Sequence, residues 1–105
     1  MRAQRITALE AMLEADPDDA FALYGLALER KVAGELEAAR TLLEKVVVID
    51  PAQLYGFYQL GEVLIALDEP EHARVALTDG LNHARTANDE KAAGEIIALL
   101  DEISE

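Results

Sequence analysis

Residues 35–43 read ELEAARTLL, and residues 69–77 read EPEHARVAL. The two stretches share Glu, Glu, Ala, Arg and Leu at the same places, at an offset of 34 residues. A match at a constant spacing of this size is typical of a protein built from one repeated unit. The 34-residue offset therefore sets the length of the units into which the rest of the chain can be divided.

The same offset aligns residues outside this stretch. It pairs the dipeptide Asp16-Pro17 with Asp50-Pro51, and it pairs Tyr24 with Tyr58. Further identical pairs are Thr7 with Thr41, Leu9 with Leu43, Glu10 with Glu44, and Leu26 with Leu60. Equivalent positions thus recur along most of the chain, as they do where successive units stack on each other.

The pattern divides the first unit into two helices. Gly34 after the basic Lys31 is a helix-stop signal. Beyond it, apolar residues spaced by three and four favour an amphipathic helix to about residue 49; they are Leu36, Ala39, Leu43, Val46 and Val47. The two Asp-Pro pairs, at 16–17 and 50–51, are interpreted as helix starts, with aspartate as the cap and proline in the first turn.

The second unit repeats this arrangement. It predicts a helix over about 51–67, a break at Asp68-Glu69-Pro70, and a helix from there to about residue 85. A last helix is predicted to be capped by Asn88. We therefore expect six helices and no strand.

The β-branched run Val46–Ile49 would by propensity alone favour a strand. It aligns with residues 12–15, however, and those belong to a helical pattern before the same Asp-Pro pair. The repeat thus predicts a helix here.

The period resembles the tetratricopeptide repeat (TPR) family, in which large and small residues alternate at set positions of a 34-residue unit. The matching residues are Leu23, Leu26, Ala27, Ala39, Leu43 and Pro51 in the first unit, and Phe57, Leu60, Gly61, Ala73 and Leu77 in the second. Two residues depart from the pattern. The family has a small residue at the position of Arg5, and it prefers alanine at the position of Gly80.

The resemblance implies an all-α fold in which antiparallel helix hairpins stack in a right-handed superhelix, an α-solenoid of about six helices. It implies a single domain over residues 1–105. The expected divisions are a half repeat at 2–19, full repeats at 20–53 and 54–87, and a terminal helix at 88–105.

Composition limits the partners. Twenty-one acidic and nine basic residues give a formal net charge of −12, which repels nucleic-acid backbones. The longest apolar runs, Val46–Ile49 and Ile96–Leu100, are far shorter than the roughly 20 residues of a membrane span, and no secretory signal is expected. We expect a soluble, cytoplasmic protein with no nucleic-acid or membrane partner. Its acidity has three open explanations: adaptation to high salt, a well-solvated surface, or a basic partner.

The residues of common catalytic and cofactor sites are missing or misplaced. The chain has no cysteine, and its one serine, Ser104, lies next to the last residue. Gly56 and Gly61 have the spacing of a phosphate-binding loop, but Glu62 follows where lysine is required. His72 and His83 would lie about 16 Å apart on one helix, too far to share a metal. We expect neither an enzyme nor a cofactor or metal site.

The resemblance also implies a concave groove lined by the first helix of each unit, which binds a peptide or protein. The groove positions of the family fall here on Phe21, Tyr24, Leu28, Lys31, Tyr55, Tyr58, Glu62, Ile65, Ile96 and Leu99. This set is mostly apolar and aromatic, so we expect apolar anchoring of the partner. The alternative is that some of the rings only pack between helices. Asp89 stands where some members clamp a terminal carboxylate, which disfavours that ligand.

The last helix has more apolar surface than one packing face needs, because Ile96, Ile97, Leu99 and Leu100 lie close together in sequence. A terminal helix is expected to be polar outside. The sequence therefore leaves two functions open. One is a protein–protein interaction module with a groove; the alternative is a structural element of a larger assembly that self-associates as a homo-oligomer through this helix.

Overall fold

The computed structural model describes residues 1–104, which form six α-helices and no strand. In chain order the helices are α1 (Arg2–Ala15), α2 (Ala20–Val32), α3 (Leu36–Ile49), α4 (Leu54–Ala66), α5 (Pro70–Thr86) and α6 (Glu90–Ile103). The predicted all-α class and helix number are confirmed.

Each helix packs against the next one along the chain, and α4 also packs against α6. The most extensive contacts join α2 to α3 and α4 to α5, so these pairs form two helical hairpins. The hairpins lie side by side in a body that measures 40 × 29 × 21 Å. This row of hairpins presents α2, α4 and α6 as neighbours.

Core residues of α3 and α5 that are related by the 34-residue offset have the same burial. Leu43 and Leu77 are both fully buried, and so are Ala39 and Ala73. The alanines allow paired helices to approach closely, and the leucines fill the space between them. The repeat in the sequence is therefore a repeat of the core.

The valine run is helical, as predicted. Within α3, Val46 is fully buried whereas Val48 is 79 % exposed. This burial pattern follows a helix with one face against α2 and α4. Tertiary packing of Val46 thus overrides the β propensity of the run.

The prediction that each Asp-Pro pair starts a helix is wrong. Pro17 and Pro51 lie in turns, and the preceding Asp16 and Asp50 donate their backbone N–H to the last turns of α1 and α3. A residue before proline is disfavoured in the α region, so the pair ends the preceding helix. The cap of α2 is Asp19, whose carboxylate accepts the N–H of Ala22 at 3.1 Å.

The cap of α6 also differs from the prediction. It is Asp89, which accepts the N–H of Ala92 at 2.9 Å, and Asn88 has a left-handed φ of 57°. Asn88 belongs to the end of α5, because its N–H donates to Arg85 while that of Asp89 donates to Ala84. This is a Schellman motif, which requires a residue with positive φ after the helix.

The same motif ends α2 and α4. Gly34 and Asp68 have φ values of 81° and 60°, and each donates to the helix it follows. Glycine predicts such a site, but aspartate at this place is visible only in the structure.

Charged side chains cover the α1 end of the row. Arg2 and Arg5 of α1 lie 3.1 and 3.2 Å from the Glu29 carboxylate of α2. Arg5 aligns with Ala39, and Glu29 aligns with the buried Val63. An ion pair between α1 and α2 thus occupies the place of an apolar contact between α3 and α4.

Candidate partner-binding site

Three tyrosines from α2 and α4 lie near one another on one side of the molecule. The rings of Tyr55 and Tyr58 meet edge to face, with centroids 6.3 Å apart and an interplanar angle of 63°. Tyr24 of α2 is partly buried, and desolvation by that burial raises the pKa of its hydroxyl. We call this surface the tyrosine face and define it by Tyr24, Tyr55, Tyr58, Glu62 and Glu95.

A lysine joins the two helices of the tyrosine face. Lys31 of α2 donates from Nζ to Gln59 Oε1 at 2.6 Å and to Glu62 Oε1 at 2.5 Å. The ammonium is thus occupied by partners on α4. It holds the spacing of the two helices, and it is less available to an incoming anion.

A second cross-link joins α4 to α6. The hydroxyl of Tyr55 donates to Glu95 Oε1 at 2.6 Å. This hydrogen bond, together with burial, raises the pKa of Tyr55 to about 12, because loss of the proton would place a phenolate beside a carboxylate. The bond fixes the orientation of the Tyr55 side chain.

Several carboxylates lie near the ring of Tyr58. Burial raises the pKa of Tyr58, and the charges of Glu62, Glu95 and Glu102 raise it further. These carboxylates come from α4 and α6, which only the fold brings together. The centre of the tyrosine face therefore combines aromatic surface with negative potential.

The groove residues predicted on α2 and α4 are accessible in the structure. Phe21 is 71 % exposed. The other seven are partly buried side chains: Tyr24, Leu28, Lys31, Tyr55, Tyr58, Glu62 and Ile65. Such burial suits residues that are held in place and can still contact a ligand. Their role in binding stays a prediction.

The two groove residues predicted on α6 are core residues. Ile96 and Leu99 are only 1 % and 4 % exposed and belong to the same buried cluster as Leu77 and Leu81. The prediction that they line a surface is wrong.

The error comes from the length of α5. This helix has 17 residues where α3 has 14, and α6 begins 36 residues after α4 instead of 34. Ile96 is therefore equivalent to Leu60 and Leu99 to Val63, which are both buried. In this register the accessible positions of α6 include Gly94 and Ala98.

Sequence reasoning missed Glu95 as a member of the site. The shifted register makes Glu95 equivalent to Gln59, the residue that receives Lys31. The sequence does contain a signal for the shifted register. Asp89-Glu90 marks a helix start that lies 36 residues, not 34, after Gln53, the residue that precedes α4.

One side of α6 carries accessible apolar surface. Ile97 is 39 % exposed, Leu100 is partly buried, and a Cβ added at Gly94 would meet nothing within 4 Å. In the shifted register Ile97 and Leu100 are equivalent to Gly61 and Leu64 of α4, which α5 covers. Within residues 1–104 no equivalent of α5 follows α6.

A separate cleft of about 250 Å³ lies between α3, α4 and α5. Phe57, Leu60 and Leu64 contribute apolar lining, while Arg40, His72 and Asp79 contribute polar groups. Val75, also in its lining, is largely exposed. This cleft shares no residue with the tyrosine face.

Metal-binding clusters and membrane-spanning helices are both absent from residues 1–104. No three histidine, aspartate or glutamate side chains are grouped so that they could hold a metal ion. No helix in this range combines the length and apolarity needed to cross a membrane.

No family model matches the sequence, but individual relatives do. A TPR repeat-containing protein of Pseudomonas aeruginosa is 34 % identical over 95 residues, which covers 90 % of each chain. The crystal structure of a tetratricopeptide repeat domain protein from Salinibacter ruber superposes with a TM-score of 0.75 at 27 % identity, over 81 % of this chain and 94 % of that one.

The TPR2B domain of yeast Sti1, in its pHsp70 complex, superposes with a TM-score of 0.86 over 93 % of this chain and 78 % of that one. Its identity is 20 %, so it supports the fold alone. TPR-type domains generally mediate protein–protein interaction. The period, the stacked hairpins and the Pseudomonas relative lead to one conclusion: this chain belongs to the tetratricopeptide repeat family.

Proposed function

We propose that this chain is a protein–protein interaction module that binds an extended segment of another protein along the tyrosine face. The observation that carries the proposal is the group of three accessible tyrosines on α2 and α4. Lys31 cross-links these two helices, and Tyr55 bonds to Glu95 of α6. Tyrosine supplies a large contact area with few rotatable bonds, and its polar edge can bond to a partner. Cross-links formed before binding reduce the ordering that binding requires.

The dimensions of the face favour an extended ligand. Packed helices lie about 8–10 Å apart, so a ligand that contacts α2, α4 and α6 must span about 16–20 Å. An extended peptide rises about 3.3 Å per residue, and about six residues would cover this distance. A small molecule would contact only part of the face.

The proposal can be tested with peptides selected from a random display library on the full chain. The test variant combines Tyr24→Ala with Tyr58→Ala, and the control combines Val48→Ala with Val75→Ala on the exposed sides of α3 and α5. Fluorescence anisotropy should show at least about tenfold weaker binding for the tyrosine variant, equivalent to about 1.4 kcal/mol. The control should bind as the wild type does.

Circular dichroism verifies that both variants are folded, and NMR shift mapping locates the peptide. Full affinity in the tyrosine variant, or shifts confined to the cleft around Val75, would contradict the proposal.

A second candidate function is self-association through α6. It is favoured by the exposure of Ile97 beside Leu100, on the side of α6 that has no covering helix within residues 1–104. In sedimentation experiments, the wild type should form dimers as concentration rises, and a variant combining Ile97→Asp with Leu100→Asp should stay monomeric. A wild type that is monomeric at every concentration would exclude this function.

A further inference from the structure

We propose that the segment bound on the tyrosine face is cationic, and that a lysine or arginine of the partner lies against Tyr58 between the carboxylates of Glu62 and Glu95. This inference rests on the proposed function, and it specifies the chemistry of the partner. It replaces purely apolar anchoring by aromatic contact combined with ion pairing.

The two carboxylates converge on the rings. Glu62 lies one helical turn after Tyr58 on α4, and Glu95 of α6 receives the Tyr55 hydroxyl at 2.6 Å. The Tyr55 ring is in turn 6.3 Å from the Tyr58 ring. Acceptors from two helices therefore lie near one accessible aromatic side chain, that of Tyr58.

Both carboxylates keep acceptor capacity for a ligand. Lys31 and Tyr55 each contact the Oε1 atom, of Glu62 and Glu95 respectively. An ionised carboxylate has two oxygens and about four lone-pair sites. The second oxygen of each group can accept from an ammonium or a guanidinium.

The carboxylates of α4 and α6 favour a cation. Glu62, Glu95 and Glu102 raise the pKa of Tyr58, and Asp89 contributes to the raised pKa of Tyr55. The cations on α2, α4 and α6 are Arg30, Lys31 and Lys91. Arg30 is ion-paired with Glu10 and Glu35, Lys31 is paired with Glu62, and Lys91 precedes Glu95 by one turn. Carboxylates thus outnumber ammonium groups, and an anionic segment would be repelled.

The aromatic surface suits the same ligand. A cation within about 6 Å of a tyrosine ring is attracted by the negative face of the ring, and the attraction grows as water is excluded. The stems of lysine and arginine are apolar and can lie along Phe21 and Leu28 or Ile65. The net charge of −12 would also speed the encounter with a basic segment.

The test uses three synthetic peptide pools that differ only at alternate positions, which carry lysine or arginine, glutamine, or glutamate. The other positions hold the same mixture of leucine, alanine and tyrosine. Anisotropy of labelled pools on the full chain is measured at about 0.1 M and about 1 M salt, where the screening length falls from about 10 Å to about 3 Å. The cationic pool should bind most tightly, and its advantage should shrink at high salt.

Matched variants separate the local carboxylates from the overall charge. The test variant combines Glu62→Gln, Glu95→Gln and Glu102→Gln. The control combines Glu14→Gln, Glu37→Gln and Asp79→Asn, which are exposed positions on α1, α3 and α5 with the same loss of charge. The test variant should bind the cationic pool about tenfold more weakly than the control at low salt.

A third variant, Glu102→Gln alone, removes an exposed carboxylate with little risk to folding, and should weaken binding by about two- to fivefold. The inference is overturned if the glutamine or glutamate pool binds as tightly as the cationic one, or if the control variant loses as much affinity as the test variant. If such binding still depends on Tyr24 and Tyr58, the proposed function stands and only the partner chemistry is wrong. If no pool binds, both proposals are wrong.

Discussion

The hydroxyl of Tyr55 and the carboxylate of Glu95 lie 2.6 Å apart, although 40 residues separate them in the chain. Their bond connects α4 to α6 at the centre of the tyrosine face. It is a contact between repeats rather than within one, so it depends on the register in which α6 packs. It also orients the aromatic side chain next to Tyr58.

This bond predicts the titration of Tyr55. Because its pKa is raised from 10.0 to about 12, the phenol contributes stability that is complete below pH 10 and is lost as the pH rises through about 12. In Glu95→Gln the pKa of Tyr55 should fall towards 10. Ultraviolet absorbance of tyrosinate measures it, and Glu14→Gln on α1 is the control. An unchanged titration in Glu95→Gln would mean that the bond does not form in solution.

Two glycines predict opposite effects of the same substitution. A Cβ at Gly80 would lie 2.5 Å from Cβ of Phe57, so Gly80→Ala should lower the free energy of unfolding by about 1–3 kcal/mol. This contact explains why alanine, which the family prefers, is absent here. A Cβ at Gly94 meets nothing within 4 Å, and Gly94→Ala should stabilise α6 by about 0.5–1 kcal/mol. Urea unfolding measures both, and equal changes would contradict the packing described.

Burial predicts that alanine substitutions at two residues of α3 have very different effects on stability. Leu43 is fully buried, and Leu43→Ala should cost about 2–5 kcal/mol because it leaves a cavity. Val48 is exposed on the same helix, and Val48→Ala should change stability by no more than about 0.5 kcal/mol. Denaturant unfolding compares them. A comparable loss in Val48→Ala would indicate that the valine run packs differently.

The lowered pKa of Glu69 predicts that the stability of the protein decreases at acidic pH. Its hydrogen bond with His72, at 2.7 Å, and that from Arg40, at 2.9 Å, lower its pKa below 4.5. Since the folded pKa is lowered, the ionised form contributes stability above pH 4.5, and this is lost as the pH falls through the lowered value.

The variant Glu69→Gln should therefore be less stable than the wild type at pH 7, and the gap should close in acid. Urea unfolding at both pH values measures the gap, and Glu71→Gln, an exposed neighbour on α5, serves as the control. A gap that persists at acidic pH would show that charge is not its cause.

The sequence by itself determined the fold class, the helix number and the helical state of the valine run. These depend on regular features: a period of 34 residues, apolar stripes spaced by three and four, and a glycine after α2. The period and the apolar stripes are repeated along the chain, so an error at one place is corrected at another. The equivalent burial of Leu43 and Leu77 follows from the same regularity.

Only the tertiary structure decided where α6 places its side chains, and with them the chemistry of the candidate site. The longer α5 shifts α6 by two residues, which buries Ile96 and Leu99 and brings Glu95 to Tyr55. A helix turns by about 100° per residue, since it has 3.6 residues per turn, so a shift of two residues exchanges buried and exposed faces. That rotation depends on how α5 and α6 pack, and the 34-residue period contains no information about it.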